Sequence, residues 1–258
     1  MLADGYGCLL FDLDGVLYRG DEAVPAAAAT MAELRARGAR SVFLTNNSSR
    51  TPEQVAAKLR SVGIEADPSD VVTSALATAE LLASRGGGSA FVIGGDGVHR
   101  ALLDAGLRVL DGEPGESDLV VVGFDDEVTY AKLRRACVLV RRGAHLVATN
   151  PDLTFPAGDG ELWPGAGSIL AAVVASSGVE AEVVGKPFAP LFEAARRRGG
   201  GGRPLVIGDR PDTDIEGARR LGWDSLLVLS GGGTREEVEE TGIRPTYVDD
   251  DVSILTRQ

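Results

Sequence analysis

An apolar run that ends abruptly in two carboxylates most constrains how this chain can fold. The run is Leu9–Phe11, and Asp12 and Asp14 follow it, with a turn signal at Gly15. Such a run is typical of a short buried strand. Carboxylates directly after it would lie at the edge of an open α/β sheet where ligands bind, because the loops leaving this edge form a crevice. An ordinary acidic turn is the alternative interpretation, since Asp-Gly is common in turns.

The spacing of the two carboxylates indicates that their side chains would lie close together. Side chains alternate along a strand, so Asp12 and Asp14 lean toward the same side if the chain stays extended. Two like charges this close repel each other unless a bound hard cation or a shared proton offsets them.

Three further apolar runs end in polar groups of different chemistry. Ser41–Leu44 ends in the hydroxyl and amide groups of Thr45-Asn-Asn-Ser-Ser49, Ala181–Val184 ends in Gly185-Lys-Pro187, and Pro204–Ile207 ends in Gly208-Asp-Arg-Pro-Asp-Thr-Asp214. Helix caps and a surface lysine are the corresponding alternatives. If the four strands are parallel neighbours, all four groups converge on one crevice.

Together the four groups have complementary chemistry. Asp12, Asp14 and Asp209 offer hard oxygen ligands suited to Mg²⁺, which prefers a few carboxylates together with a phosphate. One of the paired aspartates could then act as a nucleophile, since aspartate forms acyl-phosphate intermediates. Donors and positive charge for the remaining phosphoryl oxygens would come from Thr45, Asn46 and Lys186.

Charge and composition exclude several classes of function. The formal net charge of -12 argues against binding to nucleic acid or to an anionic membrane, because both need a basic surface. Cys8 and Cys137 lie far apart, without the paired spacing of a zinc site or disulfide framework. The sequence shows no secretion signal and no apolar run long enough to span a membrane. We therefore expect a cytoplasmic protein.

The middle of the chain has its own alternation of strands and helices, which predicts a compact insert. A helix over Ser168–Ser176 would return the chain to the first domain. Gly94-Gly-Asp-Gly97 lacks the spacing of a dinucleotide-binding loop. His99 and His145 have no partner at ligand spacing, so we expect both to be non-catalytic.

The order of Asp12-Leu-Asp14-Gly-Val, Thr45-Asn-Asn47, Gly185-Lys-Pro187 and the 208–214 motif resembles the haloacid dehalogenase-like (HAD) superfamily. Within it the sequence is similar to the NagD-like phosphatases of class II, which include nitrophenyl, ribonucleotide, phosphoglycolate and glycerol-phosphate phosphatases. The likeness covers essentially the whole chain, with no departure at a core motif position. It implies an α/β fold: a Rossmann-like parallel-sheet core, residues 1–77 and 178–258, with an inserted α/β cap domain of the C2 type, residues 78–177.

The resemblance also implies a role for each motif residue. Asp12 would be the nucleophile and a ligand of Mg²⁺, and Asp14 the general acid and base, which also gives the metal a backbone carbonyl. Asp209 would be a further metal ligand. Asp214 would lie next to the ligands without contacting the metal or, in some members, would bind the metal itself. The phosphoryl group would be held by Thr45, Asn46 and Lys186.

The implied activity is Mg²⁺-dependent hydrolysis of a small phosphorylated metabolite through an aspartyl-phosphate. Glycerol phosphate, phosphoglycolate and, in vitro, p-nitrophenyl phosphate are the leading substrates, with nucleoside monophosphates and sugar phosphates as alternatives. Specificity would lie in cap loops, where the candidates are Phe124, Asp125, Asn150, Asp152, Phe155 and Trp163. Caps in this subfamily often mediate pairing, so a homodimer is one option.

Two interpretations from other classes compete with this one. A phospho-accepting signalling module also uses an acidic cluster, a Thr and a Lys on a parallel sheet, but it needs neither a cap nor the second carboxylate, Asp14. A catalytically silent protein that binds a phosphorylated metabolite is the other alternative.

Overall fold

The computed structural model describes residues 1–157 and 161–257, in which strands alternate with helices along most of the chain. In chain order the strands are β1 (Cys8–Phe11), β2 (Tyr18–Arg19), β3 (Glu22–Ala23), β4 (Ser41–Thr45), β5 (Val71–Thr73), β6 (Ser89–Ile93), β7 (Arg108–Leu110), β8 (Leu119–Val122), β9 (His145–Ala148), β10 (Thr154–Pro156), β11 (Leu162–Pro164), β12 (Glu182–Val183), β13 (Pro204–Gly208), β14 (Asp224–Val228) and β15 (Tyr247–Asp249). The helices are α1 (Ala27–Ala36), α2 (Pro52–Ser61), α3 (Ser74–Ser84), α4 (Asp96–Asp104), α5 (Tyr130–Arg141), α6 (Ala166–Ser177), α7 (Ala189–Arg198), α8 (Glu216–Leu221) and α9 (Arg235–Thr241). Within the described ranges, none of these helices combines the length and apolar character needed to cross a bilayer.

The chain forms two compact units. The first contains Met1–Thr45, Pro52–Val72 and Lys186–Gln258, and the second contains Asn46–Thr51 and Thr73–Gly185. The second unit thus extends a few residues beyond the predicted cap, 78–177, at both ends. One reason is that β12 pairs in parallel with β9 and so belongs to the sheet of the second unit.

A six-stranded sheet in the order β15-β14-β13-β1-β4-β5 forms the centre of the first unit. Strand β1 pairs in parallel with β13 and β4, and Phe11 is level with both Ile207 and Phe43. Because the three central strands end at nearly the same height, the residues that follow them emerge at one edge. The α/β fold with a parallel-sheet core, predicted from the sequence, is confirmed.

Both faces of this sheet are buried, which explains the continuous apolar runs. Leu9 and Phe11 join a core cluster with Met31 of α1 and Leu59 of α2. Leu10, which alternates to the opposite face, is also fully buried, and α7 packs against β1 and β4.

The second unit has its own five-stranded sheet, in the order β12-β9-β8-β6-β7. The recorded pairings within it are parallel. Its core cluster joins Ile93 and Val122 of the sheet to Leu139 of α5 and Val173 of α6. The separate antiparallel hairpin formed by β10 and β11 was not predicted, because two three-residue strands leave too short a pattern to detect.

Candidate active site

The first motif splits into a buried and an exposed carboxylate. Strand β1 ends at Phe11, and the Asp12 amide donates to the carbonyl of Ile207 at 2.8 Å. The chain then turns, with Gly15 at a φ of +78°, so the alternation expected for an extended chain does not reach Asp14. As a result Asp12 is only 7% exposed, whereas Asp14 is exposed.

Lys186 lies between two buried carboxylates. Its Nζ is 2.7 Å from Oδ1 of Asp12 and 2.7 Å from Oδ1 of Asp214. Burial alone would lower the pKa of Lys186, but its attraction to Asp12 and Asp214 outweighs this effect and raises the pKa above its ordinary value. Lys186 is therefore a fixed cation in an otherwise acidic site.

The route by which Lys186 reaches this place differs from the prediction. We expected the strand before it to neighbour β1, β4 and β13 in one sheet. That strand, β12, instead pairs with β9 in the second unit, so three strand ends of the first sheet and one connecting segment supply the four groups. A two-residue strand does not specify its partner in the sequence, which is why the prediction was wrong.

Asp12, Asp209 and Asp214 form one carboxylate cluster. Each offers an oxygen, and these oxygens lie within 4.8 Å of one another. Burial, together with the nearby Asp214 carboxylate, raises the pKa of Asp209 to about 6. Burial likewise raises the pKa of Asp214 to about 6, although the Lys186 ammonium opposes the shift. Burial also raises the pKa of Asp12, again against Lys186.

A π-helical turn, Pro211–Ile215, carries Asp214 back toward the strand. The approach is so close that a Cβ at Gly208 would lie 2.2 Å from Cβ of Asp214, so a residue without a side chain is needed there. Neither Asp212 nor Thr213 caps the following helix. Asp212 accepts two hydrogen bonds from the Arg210 guanidinium, at 3.1 and 2.7 Å.

Thr45 and Asn46 are consecutive residues that belong to different units of the chain. Thr45 ends β4 in the first unit, and Asn46 begins a segment of the second unit. The backbone carbonyl of Asn46 accepts hydrogen bonds from Ser74 Oγ and Asn150 Nδ2, both at 2.7 Å. Its side-chain Nδ2 donates to Asp152 Oδ2 at 2.9 Å.

Three aromatic residues of the predicted specificity loops form an aromatic ladder in the second unit. Phe155 packs edge-on against Phe124 at 5.0 Å and against Trp163 at 6.4 Å between ring centroids. Trp163 is half exposed, whereas Asn150 and Asp125 are buried. The Asp125 carboxylate lies 2.8 Å from the Lys132 ammonium.

One group that touches the site was not predicted from the sequence. The backbone N–H of Gly232 donates to Asp209 Oδ2 at 2.7 Å. Gly232 belongs to the run Ser230-Gly-Gly-Gly233, which begins shortly after β14 and lies outside the four motifs. Three consecutive glycines at the same sheet edge were the signal that could have indicated a close approach.

The donor set of this cluster fits a divalent cation. Three buried carboxylates surround one ammonium, so above the pKa values near 6 negative charge is in excess. Carboxylate oxygens are the ligands that Mg²⁺ prefers, and a bound cation would lower the pKa values that burial raises. Asp12 and Asp209, with Asp214 adjacent, are the side chains that could hold it.

Comparison with known proteins identifies the family. Residues 9–108 match the family described as haloacid dehalogenase-like hydrolase, and residues 183–255 match a second family described as HAD-hydrolase-like. An acid sugar phosphatase of Staphylococcus aureus is 40% identical over 245 residues, which cover 94% of this chain and 93% of that protein. The chain is a haloacid dehalogenase-like hydrolase.

Solved structures of other HAD-like proteins share its whole architecture. The 4-nitrophenylphosphatase of Thermotoga maritima superposes with a TM-score of 0.92 at 32% identity, covering 100% of this chain and 99% of that one. The glycerol phosphate phosphatase of Mycobacterium tuberculosis, solved in complex with magnesium, gives a TM-score of 0.91 at 37% identity, covering 98% of this chain and 77% of that one. The family membership predicted from the four motifs is confirmed.

Proposed function

We propose that this HAD-like hydrolase is a Mg²⁺-dependent phosphomonoesterase that transfers the phosphoryl group of a small metabolite to Asp12 and then to water. The observation that carries the proposal is the placement of Lys186 2.7 Å from Asp12, within one buried cluster with Asp209 and Asp214. A phosphoryl group carries negative charge on several oxygens, and its transfer depends mainly on positioning and on stabilisation of that charge.

Asp12 acts as the nucleophile. Its Oδ1 is engaged by Lys186, which orients the carboxylate and leaves the second oxygen to attack phosphorus. The new bond joins this oxygen to phosphorus, and the bond from phosphorus to the leaving oxygen breaks. The product of this step is an aspartyl-phosphate at Asp12.

Asp14 moves the protons of both steps. It gives a proton to the leaving oxygen in the first step and, as the resulting carboxylate, accepts one from the attacking water in the second. The water oxygen then bonds to phosphorus as the Asp12–phosphorus bond breaks, which releases phosphate.

The negative charge on the phosphoryl oxygens is stabilised by Lys186, Thr45 and the Asn46 amide. Asp12, Asp209 and the backbone carbonyl of Asp14 would hold Mg²⁺, with Asp214 anchored to Lys186 beside them. When bound, Mg²⁺ supplies positive charge that offsets both the carboxylates and the phosphoryl oxygens.

The substrate is a small phosphorylated metabolite, with glycerol phosphate, phosphoglycolate and sugar phosphates as the first candidates. Relatives named acid sugar phosphatase and glycerol phosphate phosphatase support this range. The aromatic ladder and Asp152 are the groups we propose to select among leaving groups. A homodimer, a cytoplasmic location and the lack of nucleic-acid and membrane partners remain predictions.

A phosphate-release assay tests this function. We expect the protein to release phosphate from p-nitrophenyl phosphate with Mg²⁺ and to lose that activity in excess EDTA or in the Asp12→Asn variant. A panel of glycerol phosphate, phosphoglycolate, sugar phosphates and nucleoside monophosphates then ranks the substrates. Binding of these compounds without any turnover would instead favour the silent metabolite-binding protein.

A further inference from the structure

A loop outside the four motifs touches two of them. The loop is Ser230–Gly233, between β14 and α9, and β14 neighbours β13 in the first sheet. Its Gly232 N–H donates to Asp209 Oδ2 at 2.7 Å. Its buried Ser230 hydroxyl donates to the carbonyl of Gly15 at 2.7 Å, next to Asp14. One loop thus holds both a carboxylate of the cluster and the turn after the first motif.

Glycines enclose the Asp209 side chain on several sides. A Cβ would lie 2.0 Å from Asp209 Oδ2 if built at Gly231, and 2.3 Å from it if built at Gly15. A Cβ at Gly233 would lie 2.2 Å from the Asp209 backbone oxygen. Heavy atoms cannot approach this closely, so these positions leave room only for hydrogen.

Backbone conformation does not explain the glycines of the loop. Gly231, Gly232 and Gly233 are absent from the glycines with positive φ, so other residues could adopt their backbone angles. The requirement at Gly231 is therefore space for Asp209. This separates the loop from an ordinary glycine turn, in which positive φ is the usual reason for glycine.

We propose that Ser230–Gly233 is a positioning loop for the metal site, an inference that rests on the proposed Mg²⁺-dependent function. The Gly232 N–H holds Oδ2 of Asp209, which leaves Oδ1 for the cation. The close packing of Gly231 prevents the carboxylate from rotating away. Ser230 ties the same loop to the turn that carries Asp14, so that the ligands contributed by β1 and β13 keep one geometry.

Adjacent glycines provide a matched pair of variants. Gly231→Ala would place a Cβ 2.4 Å from Cβ of Asp209, a clash that must displace the side chain or the loop. Gly232→Ala keeps the donating N–H and brings its Cβ no closer than 3.7 Å to Asp209 Oδ2, which is an ordinary contact. Gly5→Ala, with no atom within 4 Å of its Cβ, controls for the substitution itself.

The readout is the rise in melting temperature with Mg²⁺ concentration, which reports affinity without turnover. We expect Gly231→Ala to weaken Mg²⁺ binding about tenfold or more, the range found when groups that orient metal ligands are altered. Gly232→Ala should change it by less than about threefold, as for a substitution that meets only ordinary contacts. Equal affinities for Gly231→Ala and wild type would overturn the inference. A wild type that Mg²⁺ does not stabilise would overturn the proposed function together with it.

Ser230 provides a second test if Gly231→Ala does not fold. Ser230→Ala removes the hydroxyl that holds Gly15, whereas Ser230→Thr keeps a hydroxyl. We expect Ser230→Ala to raise the Mg²⁺ concentration needed for half-maximal activity several-fold more than it raises KM for p-nitrophenyl phosphate, and Ser230→Thr to restore most of that loss. If Ser230 had a merely structural role, Ser230→Ala would lower stability without this difference between the Mg²⁺ requirement and KM. Unchanged Mg²⁺ dependence in Ser230→Ala would contradict the proposal.

Discussion

The Lys186 ammonium lies 2.7 Å from Oδ1 of Asp12, and both side chains are almost fully buried. Removing only the positive partner would leave Asp12 and Asp214 as uncompensated buried carboxylates. We expect Lys186→Met to abolish activity and to cost about 3 kcal/mol or more of unfolding free energy at neutral pH, measured by urea denaturation. The loss should be smaller at pH 5, because Asp214, with a pKa of about 6, is then protonated.

The exposed Arg100–Asp104 ion pair provides the control for this variant. Arg100→Met should change the unfolding free energy by less than about 1 kcal/mol, the range for surface pairs. A Lys186→Met protein as stable as wild type at neutral pH would contradict the fixed-cation role of Lys186.

The raised pKa values near 6 of Asp209 and Asp214 predict an unusual pH dependence in EDTA. Between about pH 4, where these groups titrate when unfolded, and about pH 6, the folded state binds more protons than the unfolded state. The stability that these groups contribute is therefore present below that window and is lost as pH rises through about 6. The melting temperature in EDTA, followed from pH 4.5 to 7.5, measures this contribution.

The stabilisation by Mg²⁺ should increase with pH over the same range in which the stability in EDTA decreases. Mg²⁺ binds ionised carboxylates, so the Mg²⁺-induced rise in melting temperature should grow as pH increases from 5 to 7.5. Glu182 and Glu216, with pKa values of about 2, titrate below this range and do not interfere. An equal effect of Mg²⁺ at pH 5 and 7.5 would argue against a cation site at these aspartates.

The Asn46 carbonyl has two buried donors, Ser74 Oγ and Asn150 Nδ2. Either Ser74→Ala or Asn150→Ala leaves one donor, whereas the double variant leaves a buried carbonyl unsatisfied. We expect each single variant to cost about 1 kcal/mol and the double variant to exceed the sum by about 1 kcal/mol. Inorganic phosphate should also inhibit the double variant less well, because the Asn46 backbone would lose both of these hydrogen bonds. Strict additivity in the double-mutant cycle would contradict this redundancy.

The aromatic ladder predicts a change in substrate preference. Trp163 is 50% exposed, so Trp163→Ala should have little effect on the melting temperature. We expect it to change the ratio of kcat/KM between p-nitrophenyl phosphate and glycerol phosphate by about tenfold, since an apolar contact to one leaving group is lost. Leu103→Ala, at a side chain 55% exposed on α4, is the matched control and should leave the ratio unchanged. The same ratio in both variants would exclude a role for the ladder in specificity.

Much of the fold could be predicted from local sequence patterns, because the apolar runs and helical repeats are long or sharply bounded. The β1 strand follows from an apolar run that ends before Asp12, and the helix predicted over Ser168–Ser176 is present as α6. Gly222 closes α8 in the left-handed region, where glycine is the usual residue.

What the sequence did not reveal depends on partners that are distant along the chain. Strand β12 pairs with β9 through only two residue pairs, a choice that its own residues do not encode. The bond from Gly232 to Asp209 uses a backbone N–H, which every residue but proline carries, so no residue type marks it. The two donors to the Asn46 carbonyl come from α3 and from the segment after β9, and only the folded unit brings them together.

The most direct test is to look for a phosphoryl group on Asp12. In the Asp14→Asn variant the first step should still proceed, because p-nitrophenol is a good leaving group that needs little protonation. The second step lacks the base that activates water, so the aspartyl-phosphate should accumulate. After mixing with p-nitrophenyl phosphate and Mg²⁺ and quenching in acid, peptide mass spectrometry should find the modification at Asp12 and none in the Asp12→Asn/Asp14→Asn double variant. Phosphate release that persists in Asp12→Asn, with no phosphorylated peptide in Asp14→Asn, would contradict transfer through this residue.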